Sequence, residues 1–271
     1  LYSDEFNHDK KKKIFEYKKS WLKIFNFKVF YLPYFNHPDP SIKRKSGFLT
    51  PSYASSESLG TSINTPYYKV LGIDRDITFS PRFYADKSFL LQNEYRQVLE
   101  DSKVLSDFGF LVGNDGTKAH LFYNQIGDFD NIANYVINLQ SVKGDNYLKT
   151  HDLKETSLLV KNTDLLLSNL SVDWKLDEAS LTTSVKMYED LSRNDHDRYA
   201  YIFPDFGFKR NIGIPDEYNG TFNFSSSGYN KFYDTNIRNT VLINNFLFTS
   251  NNFISPTGLV TKYYMLLKNA N

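Results

Sequence analysis

The chain has 271 residues, with 32 Lys and Arg against 31 Asp and Glu, for a formal charge of +1. Near-neutrality gives no global reason to expect a nucleic-acid partner, and the zero cysteine count excludes disulfide scaffolds, thiol nucleophiles and cysteine zinc sites together. No apolar run reaches the roughly 18 residues of a transmembrane helix. Yet 17% of residues are aromatic in a chain of mean hydropathy −0.48, a combination that suits strands with one apolar and one polar face. The chain opens on Leu1 without a methionine or an apolar leader, as expected for a piece of a longer protein.

The first 45 residues are basic and aromatic. Lys10, Lys11, Lys12, Lys13, Lys18, Lys19, Lys23 and Lys28 interleave with Ile14, Phe15, Tyr17, Trp21, Ile24, Phe25 and Phe27. Such a stretch suits an anionic surface, nucleic acid or lipid. It equally suits a hairpin of strands near 12–24 and 27–32, turning at Asn26, whose lysines are solvated edge residues that block aggregation. We adopt the hairpin, and read 1–35 as the end of a small β-domain. Pro33, Pro38 and Pro40 then follow; they cannot donate to a ladder and they restrain the residue before each. A stiff extended connector is expected over 36–46.

From residue 47 onward the pattern is strand after strand. Ala133, Tyr135, Ile137 and Leu139 alternate with Asn134, Val136, Asn138 and Gln140, and Leu181–Met187 alternates in the same way with Thr182, Ser184, Lys186 and Tyr188. Residues 199–203 repeat the alternation. Further strands are expected near 47–55, 60–69, 75–85, 88–99, 103–112, 118–126, 156–175, 219–228, 238–249 and 257–268, from β-branched and aromatic content. Turn chemistry separates them at Asn114-Asp115-Gly116, Lys143-Gly144-Asp145-Asn146, Asn219-Gly220 and Ser250-Asn251-Asn252. The fold class is all-β. A soluble sandwich and a transmembrane barrel give the same alternation. Uncharged amides on the polar faces, and aromatics near strand ends (Tyr67, Tyr68, Phe83, Tyr84, Tyr263, Tyr264), lean toward a barrel contributing roughly twelve or thirteen strands.

Between the two parts lies Phe30-Tyr-Leu-Pro-Tyr-Phe-Asn-His-Pro-Asp-Pro-Ser-Ile-Lys-Arg-Lys-Ser-Gly-Phe-Leu-Thr-Pro51. This stretch resembles the junction of the LptD (OstA) family of outer-membrane lipopolysaccharide-assembly proteins. The resemblance continues through Tyr67-Tyr68, Thr78-Phe79-Ser80-Pro81-Arg82-Phe83-Tyr84 and Asn93-Glu94-Tyr95-Arg96, and thins out beyond about residue 130. It implies a periplasmic β-jellyroll ending at 1–35, the connector 36–46, and the N-terminal part of a large outer-membrane barrel over 47–271. The implied function is insertion of lipopolysaccharide into the outer leaflet of a Gram-negative outer membrane, through a polar lumen and a lateral gate. The implied partners are lipopolysaccharide, an LptE-like plug lipoprotein, bridge proteins of the LptA/LptC jellyroll type and outer-membrane lipids. In many relatives cysteines outside this segment tie the two domains together.

Two prolines, Pro51 and Pro66, match the family's gate prolines in motif and spacing. Each proline in a strand removes a ladder donor and lowers the cost of parting a seam. The competing reading is that they mark bulges or strand ends, as Pro81 and Pro204 do. Lys43, Arg44 and Lys45 are candidates to meet lipid A phosphates or headgroups at the periplasmic rim, or are ordinary interfacial cations. His37-Pro38-Asp39 and Asp195-His196-Asp197 lack metal-ligand spacing on a regular element, so no metal is expected. Asp74/Asp76 and Asp128/Asp130 read as solvated loop charges. With no P-loop, nucleophile elbow or HExxH, neither enzyme activity nor a cofactor is expected. The alternative reading is a carbohydrate-binding or glycan-processing all-β surface protein that uses its aromatics as sugar platforms.

Overall fold

A strand whose side chains alternate between apolar and polar needs two different surroundings, and its backbone needs a partner on each side. This chain meets both demands with antiparallel sheets. The computed structural model describes all residues except 1, 25, 26, 40, 42, 43, 57, 58, 115, 152, 160–162 and 236. Strands β1 (Tyr2–Asp9), β2 (Ile14–Ile24) and β3 (Phe27–Pro38) form a three-stranded sheet in that order. Ring contacts such as Phe6–Tyr17 (5.2 Å) and Tyr17–Phe35 (5.9 Å) run across one face of it.

The large sheet has 15 strands. It begins with four short pieces: β4 (Gly47–Phe48), β5 (Ser52–Ser56), β6 (Gly60–Asn64) and β7 (Tyr67–Val70). Long strands follow: β8 (Arg75–Tyr84), β9 (Phe89–Val98), β10 (Ser102–Gly113), β11 (Gly116–Phe129) and β12 (Ala133–Lys143). After the four-residue helix α1 (Tyr147–Thr150) come β13 (Leu165–Lys175), β14 (Ala179–Asp190), β15 (Tyr199–Ile212), β16 (Gly220–Tyr233) and β17 (Ile237–Ser250). A separate two-stranded ladder, β18 (Phe253–Ile254) with β19 (Val260–Thr261), precedes the last strand, β20 (Tyr264–Ala270). From β8 to β17 each strand pairs with the next in sequence. The path runs from β20 to β5, and among the described residues no ladder joins those two ends. Tight turns set the registers. In the three-residue turn between Phe129 and Ala133, Asp130 (φ 47) and Asn131 (φ 60) take left-handed conformations, and Ile132 N–H donates to Phe129 C=O at 2.8 Å.

Register sorts the side chains onto two faces. Asn124 opposes Asn138, Asn138 opposes Asn169, and Asn169 opposes Lys186; Ser171, Ser184 and Asp205 form the adjacent row. Ile137, Leu170 and Val185 oppose one another on the other face, which also carries Phe224, Phe246 and Leu267. The expected assignment therefore holds: Asn134, Asn138, Ser184 and Lys186 share the polar face, and Tyr135, Ile137, Leu181 and Val185 the apolar one. Leu170 and Val185 are 48% and 43% exposed, so none of the described residues covers them.

Four expectations are corrected. Of the lysines expected at an edge only Lys28, on β3, is there: Lys10–Lys13 form the β1–β2 turn, and Lys18, Lys19 and Lys23 lie on the central strand β2. The connector starts later than residue 36, because β3 runs on through Pro38. Pro33 and Pro38 are thus strand residues, tolerated because β3 is the edge and because Lys19, opposite Pro33, leaves the ladder with φ 50. The strand expected over 156–175 begins only at Leu165. The preceding segment folds onto the sheet instead. Asn26 and Pro40 lie outside the described residues.

That segment is where the core sits. Tyr147, Leu148, Leu153 and Leu159 pack with Tyr84, Leu90, Leu111, Phe122 and Val142, all from the polar face of β8–β12. One patch of that face is apolar, and the segment between β12 and β13 covers it. Leu153 is fully buried, whereas Leu259 is 66% exposed in a loop. Leu153→Ala is expected to cost about 2–4 kcal/mol through the cavity it leaves, and Leu259→Ala less than about 0.5 kcal/mol. Denaturant midpoints of the two variants in detergent check this.

Candidate functional site

Pro51 and Pro66 sit at one break in the first hairpin of the large sheet. β4 pairs with β7 as Gly47↔Tyr68 and Phe48↔Tyr67, and β5 pairs with β6 from Ser52↔Asn64. Three residues on the first strand (49–51) thus face two on the second (65–66), a one-residue bulge. Pro51 immediately precedes β5 and Pro66 lies between β6 and β7, so both prolines end short strands rather than sitting inside long ones. Leu49 N–H donates to Pro66 C=O at 2.8 Å. In a hydrogen-bonded antiparallel pair the residues exchange two bonds; here proline has no N–H to return to Leu49 C=O.

The same loss occurs on the other side of this strand. β6 and β7 hold one register against β8, from Ser62↔Tyr84 to Tyr67↔Phe79. Within it Thr65 N–H donates to Pro81 C=O at 3.1 Å, and Pro81 cannot reciprocate. Residues 65 and 66 are held by half-pairs on both flanks. The sequence reading of Pro81 as a bulge or strand end is corrected: it sits inside β8, whose register against β9 is unbroken at Pro81↔Leu91. Pro204 falls where β15 shifts register between Ile202 and Asp205, the bulge role expected of it.

Facing the break is a buried polar network that pins the segment after α1. Asp107, inaccessible to solvent, bonds His120 Nε2 at 2.9 Å and accepts from Thr156 Oγ1 at 2.6 Å and Gln92 Nε2 at 3.1 Å. His120 Nδ1 lies 3.0 Å from the Tyr147 hydroxyl. Gln92 also clamps the backbone of Lys154, accepting from its N–H (2.9 Å) and donating to its C=O (2.8 Å). Gly109 makes room for this arrangement: a Cβ there would stand 2.8 Å from His120 Cε1 and 2.7 Å from Leu91 O. None of these residues was singled out from the sequence.

Of the three cations expected to meet a headgroup, Arg44 is engaged inside the chain. Its guanidinium pairs with Asp76 and donates to the Tyr68 hydroxyl (3.1 Å) and Ile73 C=O (2.8 Å). Arg96 Nε holds the second Asp76 oxygen at 2.8 Å. Arg44 therefore fastens the connector to β7 and β8, and Asp76 is no loose loop charge. Lys45 makes no ion pair among the described residues, and Lys43 lies outside them. At the connector's start His8 Nε2 meets Asp39 at 2.8 Å. The Ser41 N–H, then its hydroxyl and His8, hold the Asp39 carboxyl below the usual carboxylate range. His37 stacks against Tyr17 and Phe15. Asp195 accepts from the N–H of Asp197, and Asp197 anchors Thr235, so the acidic loop is used to shape a turn.

No family model matches the chain. Curated relatives do. LPS-assembly protein LptD of Pseudoalteromonas translucida (strain TAC 125) is 29% identical over 235 residues, covering 83% of this chain and 30% of that protein. The LptD of Shewanella sp. (strain MR-4) is 27% identical over 226 residues, covering 81% and 28%.

The chain is similar to LptD.

A shorter match, to LptD of Pseudomonas aeruginosa (strain UCBPP-PA14), reaches 35% identity over 94 residues, 35% of this chain and 10% of that protein. The LptD-like chain thus spans less than a third of the length of these relatives, and the resemblance seen at its junction is borne out. Within it, Asp76→Ala would leave two guanidiniums facing each other. Loss of this partly exposed pair should speed tryptic cleavage at Arg44-Lys45 several-fold without unfolding the sheet. A protease time course on the full-length protein measures it.

Proposed function

We propose that this chain is the central part of an outer-membrane lipopolysaccharide-assembly protein that acts as a conduit, not an enzyme. In this reading β1–β3 close a periplasmic jellyroll that receives lipopolysaccharide from LptA/LptC-type bridge proteins. Residues 39–46 are the connector, and β4–β20 are the N-terminal part of a barrel plugged by an LptE-like lipoprotein. The apolar face meets outer-membrane lipid. The amide-rich polar face lines the path of the sugars. Lipopolysaccharide is too amphiphilic to leave along the barrel axis alone: its acyl chains need the bilayer while its sugars need water. A fully paired barrel wall forbids that sideways exit.

The observation that carries the proposal is the break at Pro51 and Pro66, because the donors missing at Pro66 and at the neighbouring Pro81 make the first hairpin a weak lateral joint. Each missing bond lowers the cost of parting by about 0.5–1.5 kcal/mol. Replacing both prolines with residues that can donate restores up to two bonds, about 1–3 kcal/mol in total. For a two-state opening this lowers the open population roughly five- to a hundredfold. The double replacement in the full-length protein is expected to slow lipopolysaccharide release and to sensitise the outer membrane to large antibiotics, at unchanged protein abundance. The same exchange at Pro204 should do little. Unchanged export and permeability in the Pro51/Pro66 variant would leave only the bulge role.

The orientation of the faces has its own test. Arg at Ile137, near mid-membrane, is expected to cost about 2–4 kcal/mol, while Arg at Asn138 should be mild. Folding titrations into lipid vesicles read the difference, and equal costs would remove the membrane assignment.

A further inference from the structure

Between the broken hairpin and the pinned segment lies a cleft of about 480 Å³, with Thr50, Asn64 and Pro66 on one wall and Leu153, Lys154 and Glu155 on the other. Two of its polar groups have no partner among the described residues. Asn64 is 3% exposed, yet its Oδ1 accepts no hydrogen bond, an uncommon state for a buried side chain and one that a hydroxyl donor would relieve. Lys154 makes no ion pair, although its backbone is clamped at both ends by Gln92 and, through it, by Asp107. Its ammonium is therefore a free cation on a fixed mount. Arg82 also lines the cleft but is buried and donates to Ser62 Oγ at 3.0 Å, so it belongs to the wall.

We propose that this cleft is a contact site for an anionic sugar headgroup on its way to the seam. Lys154 would meet the sugar's anionic group and Asn64 Oδ1 would accept one of its hydroxyls, with the segment Tyr147–Leu159 as a fixed inner wall rather than a lid. The fixity follows from burial: Tyr147 and Leu153 are fully inaccessible, as are Asp107 and His120 in the network that holds them. The proposal rests on the conduit reading and adds to it the place where the headgroup is held beside the break.

The test places a photoreactive residue at 155, beside Lys154, and separately at 50 on the opposite wall, in the full-length protein in cells. Adducts carrying lipopolysaccharide are expected at both positions. Lys154→Glu is expected to slow release about fivefold at unchanged abundance, and Lys154→Arg to restore it; both changes are at an exposed side chain, so folding is not at stake. An adduct at only one of the two positions, or normal release by Lys154→Glu, would overturn the headgroup site and leave the gate standing. No adduct at either position while export proceeds would remove the route past the seam, and with it the gate as well.

Discussion

Every backbone N–H and C=O in a sheet that meets lipid must find its partner in the neighbouring strand, because hydrocarbon offers none. In the proposed barrel that demand is met from β8 to β20 by antiparallel neighbours, with register shifts between Ser184 and Lys186 and between Ile202 and Asp205, and backbone donors are withheld at the first hairpin. Pro66 takes a bond from Leu49 and returns none; Pro81 takes one from Thr65 and returns none. Proline is the only residue that can do this without a side-chain change on either face, since it deletes a donor and leaves the carbonyl in line. The joint combines short strands with withheld donors, and β6 and β7 still hold the same alignment against β8 on both sides of the gap.

The two faces solve a different problem. A polar row such as Asn124, Asn138, Asn169 and Lys186 stays hydrated only if water reaches it, and an apolar row such as Ile137, Leu170 and Val185 stays stable only out of water. The exception on the polar face is the patch of Leu90, Leu111 and Phe122, which is covered by Leu148, Leu153 and Leu159. Covering it brings Asp107 and His120 into a dry interior, where each must be fully bonded. Gln92, Thr156 and Tyr147 provide those bonds and, by doing so, fix where the covering segment lies.

Period-2 alternation made most of this fold readable from the sequence, because a strand with two unlike faces leaves that mark wherever it occurs. The junction prolines were not so readable: Pro33 and Pro38 read as a connector, yet both lie in β3. What escaped was non-local. Leu158 and Leu159 sit in a stretch with the apolar content of a strand, and nothing local says that these two pack on the core of Phe122 and Leu111 instead of pairing. Arg44 looked like an available cation because its acceptor, Asp76, is 32 residues away and itself looked like a turn charge. His120 and Asp107, separated by 13 residues on adjacent strands, become neighbours only once β10 and β11 take their register and Gly109 clears the space between them. The central place of β2, and hence of its lysines, depended on a β1 that has little apolar periodicity of its own.

The joint and the break lie on the same hairpin, and their order along it bears on how a seam would part. Its β4–β7 half is tied down: Gly47 and Phe48 pair with Tyr68 and Tyr67, Leu49 bonds Pro66, and Arg44 binds Tyr68, Ile73 and Asp76 just beyond. On the far side of the bulge, β5 is paired among the described residues with β6 alone, while β6 is also held to β8 by the Ser62–Asn64 pairing and by the Ala85 N–H to Thr61 C=O bond. Strain applied to the seam concentrates where bonds are fewest, so parting should start in the β5–β6 half and stop at the break, with the connector end as its fixed pivot. An opening of that kind exposes the cleft between Asn64 and Lys154 first, and does so without disturbing the attachment of the connector to the sheet.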